Sequence, residues 1–354
     1  MQLVNTWDVI VVGGGIIGLS LSIALRKRGA KVLVVERGEP GREASHAAGG
    51  MLVDCALETP VALQPLATAS ARLYPEFAYE LEAESGMKVD LRDQGTILFL
   101  SGEHGDSVGT ALTAAALAEL EPGLVAESHP AFYLKERSID PRALTAAAWK
   151  AAKNRDVDFS SGDEVTEVNV TGGRASGVTT IKTSFHSAKV VNCAGAWAGQ
   201  IGPQAFPTRP VKGQMLCLAL PSHTVLRHVV RTSNVYLIPR SDGRLLVGAT
   251  VEEAGFDKRT DVDTMQRLHH AALALIPELR NARILENWAG LRPGTPDALP
   301  ILGETATPGY YVATGHFRDG ILLTPVTAEV MAEVIEGRKP QHDLAPFSPA
   351  RFQS

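Results

Sequence analysis

The N-terminal stretch of the chain alternates apolar runs with glycines in a pattern typical of one strand-helix-strand unit. Val9–Val12 is a short apolar run that ends at three consecutive glycines, residues 13–15, and an apolar stripe with helical spacing follows. Gly29 predicts the end of that helix. The second apolar run, Val32–Glu36, predicts a buried strand that ends in a carboxylate.

Periodicity and turn signals predict the further elements along the chain. Helices are expected over residues 65–84, 107–120, 264–276 and 327–336, with another that begins after the N-cap Asp140. Strands are expected at residues 91–92, 95–100, 131–134, 215–218, 235–239 and 244–249. A three-stranded meander is expected between residues 163 and 189, and apolar strands are expected to begin at residues 189 and 310.

The glycines between the first strand and its helix carry the first functional signal. Gly13, Gly15 and Gly18 have the spacing G-x-G-x-x-G, which permits a tight turn, close backbone approach to a pyrophosphate, and close packing of helix on strand. Amide groups at the helix start then face the phosphates. Glu36 stands where a carboxylate accepts hydrogen bonds from an adenosine ribose. The pattern predicts an adenine dinucleotide, with NAD and FAD both open.

Three loops rich in glycine and small residues extend this picture. Residues 37–51 are typical either of a loop along a planar cofactor or of a flexible connector between domains. Residues 189–198 lead from an apolar strand into a small-residue turn, and residues 310–323 lead from a strand through a glycine-flanked loop toward a helix. A helix N-terminus carries the positive end of the helix dipole. Such loops at opposite ends of the chain indicate one extended cofactor.

Composition excludes two classes of partner. The 354 residues suffice for two domains with a substantial core. The net charge of -5, the pI near 6.1 and the lack of a Lys/Arg-rich run argue against a nucleic acid or an anionic membrane surface as partner.

Cysteine usage and hydropathy indicate where the protein functions. Cys55, Cys193 and Cys217 are too few and too scattered for a disulfide framework or a zinc site, and they suit a reducing cytosol. The apolar N-terminal run is interrupted by glycines and lacks a cleavage signature, so no signal peptide is expected. No segment approaches the roughly 20 apolar residues of a membrane span. We therefore expect a cytoplasmic protein with no metal site.

Taken together, the segments resemble the flavin-dependent amine and amino acid oxidase family, which contains D-amino acid oxidase, sarcosine oxidase and glycine oxidase. The resemblance covers nearly the whole chain and is greatest toward the glycine oxidases of thiamine biosynthesis. Besides the glycine fingerprint, it rests on residues 45–51, 210–214, 236–240, 243–244, 247–250, 288–295 and 315–323. The stretches 288–295 (WAGLRPGT) and 315–323 (GHFRDGILL) are its most specific parts.

The resemblance implies an α/β fold with a Rossmann-like FAD-binding domain and a mostly antiparallel substrate-binding sheet domain. The FAD-binding domain is expected to be discontinuous, comprising residues 1–86, 139–208 and 289–354. The substrate-binding domain would comprise residues 87–138 and 209–288. Assembly into a homo-oligomer is a further expectation.

The resemblance also implies non-covalent FAD rather than NAD. By analogy, Glu36 holds the adenosine ribose, Val165 contacts adenine through its backbone, and the loop at 44–51 runs beside the flavin. The loop at 315–322 would surround the flavin, and the last helix would stabilise negative charge on the ring. The residues expected to contact FAD are Gly13, Gly15, Ile16, Ile17, Gly18, Glu36, Arg37, Ala44, Ser45, Gly49, Gly50, Met51, Val165, Gly195, His316, Phe317, Arg318, Asp319, Gly320, Ile321 and Leu322.

For the substrate, the resemblance points to Arg292, whose planar guanidinium can bind a carboxylate through two parallel hydrogen bonds. Tyr236 would donate its hydroxyl to the same carboxylate. Arg318 would lie beside the substrate amine, and its backbone carbonyl would accept a hydrogen bond from that amine. Met51 and Val251 would shape the pocket wall.

The implied reaction is oxidation of glycine, sarcosine or a small D-amino acid to a 2-oxo acid, ammonia or an amine, and hydrogen peroxide. Hydride would pass from the α-carbon to flavin N5, with no obligatory acid or base, and His46 and His316 are interpreted as structural or solvent-facing. Glycine oxidases carry a histidine in place of Asn234 and a methionine in place of Val251, so larger D-amino acids also enter the expected substrate range.

Two other hypotheses remain open at this point. One is a dehydrogenase on the same fold that passes electrons to a quinone or a partner protein. The other is a flavoprotein without enzymatic activity, in which Arg292 and Tyr236 would have no purpose.

Overall fold

Two large β-sheets organise the chain. The computed structural model describes residues 6–53, 59–100, 108 and 110–352. In these ranges the strands are β1 (Val9–Val12), β2 (Val32–Glu36), β3 (Met51–Leu52), β4 (Thr96–Phe99), β5 (Ala131–Leu134), β6 (Arg137–Ser138), β7 (Asp158–Ser161), β8 (Val165–Thr171), β9 (Arg174–Thr180), β10 (Ser184–His186), β11 (Val190–Asn192), β12 (Arg209–Ala219), β13 (Val229–Arg231), β14 (Tyr236–Pro239), β15 (Arg244–Gly248), β16 (Ile284–Gly294), β17 (Ile301–Glu304) and β18 (Tyr310–Thr314). The α-helices are α1 (Ile16–Lys27), α2 (Ala44–Ala47), α3 (Gln64–Ser85), α4 (Ala114–Leu120), α5 (Pro141–Asn154), α6 (Val262–Leu275) and α7 (Thr324–Ile335).

The first sheet is the Rossmann-like sheet that the N-terminal pattern predicts. Its strand order is β17-β18-β11-β1-β2-β7, and its neighbours are parallel except for β17 against β18. Ile10 of β1 pairs with Leu33 of β2 on one side and with Val190 of β11 on the other. The predicted strand-helix-strand unit is therefore confirmed at the centre of the sheet.

Apolar side chains cover both faces of this sheet, as a parallel sheet requires. Helices α1, α3, α5 and α7 pack together over one face, where Leu19, Tyr74, Leu144 and Met331 are buried in one core. The predicted meander forms the three-stranded sheet β10-β9-β8, whose Val178 lies in the core of the other face. The consecutive apolar residues of β1 and β2 are thus buried on both sides.

The second sheet is the mostly antiparallel one expected for substrate binding. Its strand order is β16-β12-β15-β14-β13-β4-β5, and only β13 and β4 run parallel to each other. Helix α6 packs on it through Leu268 and Ala272, which share a buried core with Leu216, Leu237 and Val247. The Rossmann-like sheet with its helices and this mostly antiparallel sheet together confirm the predicted α/β fold class.

Strands β12 and β16 form the longest ladder, which runs from Arg209 opposite Gly294 to Leu218 opposite Ile284. The strands of the Rossmann-like sheet all fall in the ranges expected for the FAD-binding domain. The expected boundary at residue 289 falls inside β16. The division into two domains at those boundaries stays a prediction.

Two expected elements differ in the structure. The helix expected over 107–120 begins only at Ala114, because the Thr113 side chain caps it by accepting from the Ala116 N–H at 3.2 Å. Residues 107 and 109 of its expected first turn lie outside the described residues. The strand expected at 91–92 is reduced to one bridge between Arg92 and Ser138, since the next residues turn away toward β4.

Other elements were missed or misplaced by the periodicity. Strands β7 and β13 are too short to show a pattern, and β12 begins six residues before the expected strand because its first half contains polar and proline residues. Helix α7 begins at Thr324 rather than near residue 327, since Pro325 fits the first turn of a helix. Among the described residues, no helix combines the length and the apolar character needed to cross a membrane.

The close packing of α1 on β1 generates the first testable prediction. A Cβ atom at Gly18 would lie 2.1 Å from the Gly13 carbonyl oxygen, so Gly18→Ala forces the helix away from the strand. We expect the free energy of unfolding to fall by roughly 1–3 kcal/mol, measured by urea denaturation of the protein without cofactor. Gly38→Ala is the matched control, because its nearest neighbouring atom would be the Glu36 Oε1 at 3.8 Å. Equal midpoints for the two variants would contradict this account.

Candidate active site

The loop between β1 and α1 leaves its backbone open to a ligand. Gly13 has φ +107° and a Cβ atom there would lie 2.6 Å from the Cys193 carbonyl oxygen, so only glycine fits. Helix α1 begins at Ile16 with Gly15 as N-cap, and the Ile16 N–H donates to Ser45 Oγ at 3.0 Å. At Gly15 a Cβ atom would meet only Ser45 Oγ, at 3.4 Å. The fold itself therefore leaves room for a side chain at Gly15, and the lack of one keeps the cavity beside the loop open.

Glu36 is held rigidly at the end of β2. Its Oε2 accepts from the Gly14 N–H at 2.7 Å and its Oε1 accepts from the Gly38 N–H at 2.9 Å. The side chain is only 9% exposed, yet it borders the same cavity as the glycine loop. Each carboxylate oxygen keeps a further lone pair, so the group can accept from a ribose hydroxyl as well.

One cavity of about 970 Å³ extends from the glycine loop to the second sheet. It brings together all but two of the residues predicted to bind cofactor or substrate. Those that border it are Gly13, Gly15, Ile16, Ile17, Glu36, Arg37, Ala44, Ser45, Gly49, Gly50, Met51, Val165, Gly195, Tyr236, Val251, Arg292, His316, Phe317, Arg318, Asp319, Gly320 and Ile321. Gly18 instead packs on the Gly13 backbone and Leu322 is buried in the core.

The loop at 44–51 lies along this cavity and is fastened to the second sheet. The Trp288 Nε1 donates to the Ala47 carbonyl at 3.1 Å, and the buried Arg240 donates through Nη2 to the Gly49 carbonyl at 2.5 Å. A Cβ atom at Gly290 would lie 2.3 Å from the Ala47 Cβ, which shows how closely β16 approaches α2. Of the two interpretations of this loop, the structure supports the one that places it along a ligand.

Arg292 of β16 lies at the second-sheet end of the cavity. Its Nη1 donates to the Lys212 carbonyl at 3.3 Å and to the Thr250 carbonyl at 3.1 Å. A Cβ atom at Gly213 would lie within 2.5 Å of the guanidinium, so glycine on the paired strand makes room for it. Among the described residues no carboxylate forms an ion pair with Arg292. The cation is thus held by neutral acceptors and keeps its charge for an anionic ligand.

Tyr236 of β14 lies beside Arg292. Burial raises the pKa of Tyr236 above its ordinary value, and the charge and hydrogen bonding of Arg292 oppose that rise. A Cβ atom at Gly248 on the neighbouring strand would lie 2.7 Å from the tyrosine ring, so glycine again makes the space. The phenol is neutral at physiological pH and can donate a hydrogen bond.

The loop after β18 borders the cavity from the other sheet. Gly315 has φ +77° and Phe317 has φ +47°, a conformation that a bulky residue adopts only under strain and that is frequent at functional sites. On α3, Tyr74 donates to the Ile321 carbonyl at 2.5 Å and Ser70 donates to the Leu322 carbonyl at 2.6 Å. These bonds fix the turn that leads into α7. Helix α7 begins three residues after Ile321, the last cavity residue of this loop, so its positive N-terminal end lies near the cavity wall.

The histidines and cysteines near the cavity are not suited to proton transfer or nucleophilic attack. Burial lowers the pKa of His316 to about 4, and its Nε2 lies 3.1 Å from Thr327 Oγ1, so the ring is neutral and fixed. Burial and the positive charge of nearby arginines also lower the pKa of His46. The thiols of Cys193 and Cys217 are free and buried, with pKa values raised by burial to about 12 and about 11. Cys55 lies outside the described residues.

The structure adds cavity residues that the sequence did not single out. Trp197 borders the cavity within the small-residue turn after β11, and a lone tryptophan among alanines and glycines was a signal available there. Arg231 also borders it, with its Nη1 3.4 Å from Glu136 Oε2, and nothing in the sequence marks that arginine. Asn234 borders the cavity as the resemblance implied, and Val251 is 54% exposed at its edge.

The glycine loop, the fixed Glu36 and the loops along the cavity have the arrangement of a dinucleotide-binding enzyme, and the cation of Arg292 borders the same cavity. A family model described as FAD dependent oxidoreductase matches residues 8–334, so the chain belongs to that family. It is an FAD-dependent amino acid oxidoreductase of the glycine oxidase type, and FAD is its cofactor. This excludes the hypothesis of a flavoprotein without enzymatic activity.

Similar proteins agree over almost the whole chain. Glycine oxidase from Geobacillus kaustophilus is 34% identical over 371 residues, which cover 98% of this chain and 97% of that protein. A crystal structure of glycine oxidase from Geobacillus kaustophilus superposes with a TM-score of 0.93 at 33% identity, covering 99% of this chain and 100% of that chain.

Two other relatives differ in what their names describe. The bifunctional protein ThiO/ThiG of Trichormus variabilis is 34% identical over 364 residues and 98% of this chain, but the chain spans only 55% of that relative's length. Hydrogen cyanide synthase subunit HcnC of Pseudomonas aeruginosa is 31% identical over 405 residues, which cover 99% of this chain and 97% of that protein.

The residues present fit FAD. The glycine loop offers backbone N–H groups with no side chain in the way, the fixed carboxylate of Glu36 suits a ribose, and the cavity continues past Val165 to the loop after β18. We infer that these groups hold the dinucleotide, with the flavin toward Arg292 and Tyr236.

The second prediction separates cofactor binding from folding. Gly15→Val adds a branched side chain on the cavity side of the phosphate loop, where the fold leaves space, so we expect the protein to fold but to lose FAD. The measurements are the absorbance near 450 nm per chain after purification and the thermal unfolding of the cofactor-free protein. Gly38→Ala serves as the control that keeps both properties. A yellow, fully loaded Gly15→Val protein would refute the phosphate-loop assignment.

Proposed function

We propose that this chain oxidises a small amino acid, namely glycine, sarcosine or a small D-amino acid, with oxygen as electron acceptor. The amino acid, oxygen and water become a 2-oxo acid, ammonia and hydrogen peroxide. Glycine would give glyoxylate, and sarcosine would release methylamine in place of ammonia. FAD, when bound, would supply the hydride acceptor, from which the electron pair would pass to oxygen.

The observation that carries this proposal is the environment of Arg292. The guanidinium borders the cavity, is anchored by two main-chain carbonyls, and has no carboxylate partner among the described residues. A cation of this kind binds the α-carboxylate of an amino acid through charge-assisted hydrogen bonds. The neutral Tyr236 hydroxyl beside it donates to the same group.

Orientation is the main contribution of these side chains. With the carboxylate held by Arg292 and Tyr236 and the amine held by a backbone carbonyl, the α-carbon is held in one orientation. The entropy of orienting the substrate is then lost on binding rather than in the reaction step. The backbone carbonyl of Arg318 accepts a hydrogen bond from the substrate amine. Met51 and Val251 limit the size of the substrate side chain. His316 is neutral and fixed, and we assign no obligatory acid or base among the described residues.

The width of the pocket supports the broader substrate range. Val251 is shorter than the methionine that the resemblance places there, and Asn234 is smaller than the histidine. Both residues border the cavity. We therefore include D-alanine and D-proline beside glycine and sarcosine.

A second candidate is transfer of the electrons to an acceptor other than oxygen. It is favoured by the similarity to HcnC, whose name denotes one subunit of a larger enzyme. Similarity to ThiO/ThiG favours instead a role in thiamine biosynthesis. The cytoplasmic location and the homo-oligomer stay predictions from the sequence.

The third prediction tests the reaction itself. The purified protein is assayed for oxygen uptake and peroxide release with glycine, sarcosine, D-alanine, D-proline and L-alanine. We expect one peroxide per amino acid consumed for the first four and none for L-alanine. Reduction of an artificial acceptor with no peroxide would replace the oxidase by the dehydrogenase, and no turnover with any of these compounds would refute the substrate class.

The fourth prediction concerns the carboxylate site. Arg292→Ala should leave FAD bound but raise KM roughly ten- to hundredfold, because a charge-assisted hydrogen bond contributes about 1.5–3 kcal/mol. Steady-state kinetics and the FAD content measure the two effects. Arg209→Ala is the matched control on the paired strand, since that arginine is half exposed and bonds Glu253 and the Thr295 carbonyl. An unchanged KM in Arg292→Ala would remove this residue from the site.

A further inference from the structure

The segment between β15 and α6, residues 249–261, contacts residues on both sides of the cavity, and we call it the strap. At its start the Thr250 carbonyl accepts from Arg292 and Val251 borders the cavity. Farther along, Phe256 and Lys258 reach residues on the Rossmann-like side. The strap therefore contacts both the carboxylate site and the wall of the cofactor site.

Both ends of the strap are fastened to β12. The fully buried Gln214 donates through Nε2 to Asp261 Oδ2 at 2.8 Å, and its Oε1 accepts from the Asp261 N–H at 2.9 Å. Its backbone N–H donates to Thr250 Oγ1 at 2.8 Å. Lys212 and Glu252 exchange two backbone hydrogen bonds at 2.9 and 3.0 Å. The ends are thus fixed by partly buried hydrogen bonds to β12.

Among the described residues, two exposed contacts join the middle of the strap to the Rossmann-like side. The ring of Phe256, which is 41% exposed, lies 5.1 Å from the ring of Trp197. The Lys258 Nζ lies 3.0 Å from Glu43 Oε2. Contacts of this kind are individually weak, so this part of the strap opens at lower free energy than its ends.

The partners of these contacts belong to one cluster in the cofactor wall. Arg37 follows Glu36 directly, its guanidinium lies 3.6 Å from the centre of the Trp197 ring, and its Nη2 donates to Glu43 Oε1 at 2.8 Å. Arg37, Glu43 and Trp197 all border the cavity, whereas Phe256 and Lys258 lie outside it. The strap therefore supports this wall from behind.

We propose that Phe256 and Lys258 are positioning residues that retain FAD by holding Trp197 and Glu43 in the cofactor wall. Release of FAD requires the cluster around Arg37 to move, and the strap opposes that motion. The inference needs only the binding of FAD and is independent of the amino acid oxidised.

The fifth prediction is the rate at which FAD leaves the holoenzyme, measured by absorbance after dilution into excess apoflavoprotein trap. Phe256→Ala should release FAD about three- to tenfold faster, which is the size of one aromatic contact. Lys258→Gln should release it about twofold faster at low ionic strength and at the wild-type rate in high salt, because the ion pair is exposed. Phe256→Leu keeps apolar contact and should restore most of the wild-type rate.

Arg259→Gln is the matched control within the strap. Its side chain is 89% exposed and, in the part of the chain that the structure describes, bonds only Asp257, two residues away. Its release rate should equal the wild type, and thermal unfolding of the cofactor-free variants should be unchanged. A wild-type release rate in Phe256→Ala, or an equal acceleration in Arg259→Gln, would overturn the proposal. Loss of FAD retention without loss of substrate preference would leave the proposed reaction intact.

Discussion

The structure depends on the ladder between β12 and β16. Ten residue pairs join the two strands here, from Arg209 opposite Gly294 to Leu218 opposite Ile284. Near its Arg209–Gly294 end, the ladder places the Arg292 side chain over Gly213 and within hydrogen-bond distance of the Lys212 carbonyl. Its neighbouring residues Trp288 and Gly290 press β16 onto the loop at 44–51. A single pairing register thereby aligns Arg292 with the loop at 44–51 along the cavity.

The two charged groups at the ends of the cavity are held in the same manner. Glu36 is fixed by N–H groups of Gly14 and Gly38, and Arg292 is fixed by carbonyls of Lys212 and Thr250. Main-chain dipoles orient each charge without neutralising it, which an ion pair would do. The charges therefore remain available to a ligand, at the cost of desolvation that the binding of the ligand offsets.

Prediction from sequence succeeded where a local pattern is sufficient. The glycine spacing, the apolar runs of β1 and β2 and the N-cap Asp140 each depend on a few consecutive residues, and each element is present. It failed where the pattern was short or mixed. Strand β13 has three residues and is defined by pairing with β4 and β14, and α4 starts late because the Thr113 hydroxyl caps it.

The site divides in the same way. By itself the sequence determined the glycine loop and the carboxylate at the end of β2, and through a specific motif it singled out Arg292 as a predicted site residue, because these depend on residue type and spacing along one segment. Only the tertiary structure decided that Arg231 and Trp197 border the cavity and that Phe256 and Lys258 contact residues of its wall. Those contacts join segments far apart in the chain, and only the packing of the two sheets brings them together.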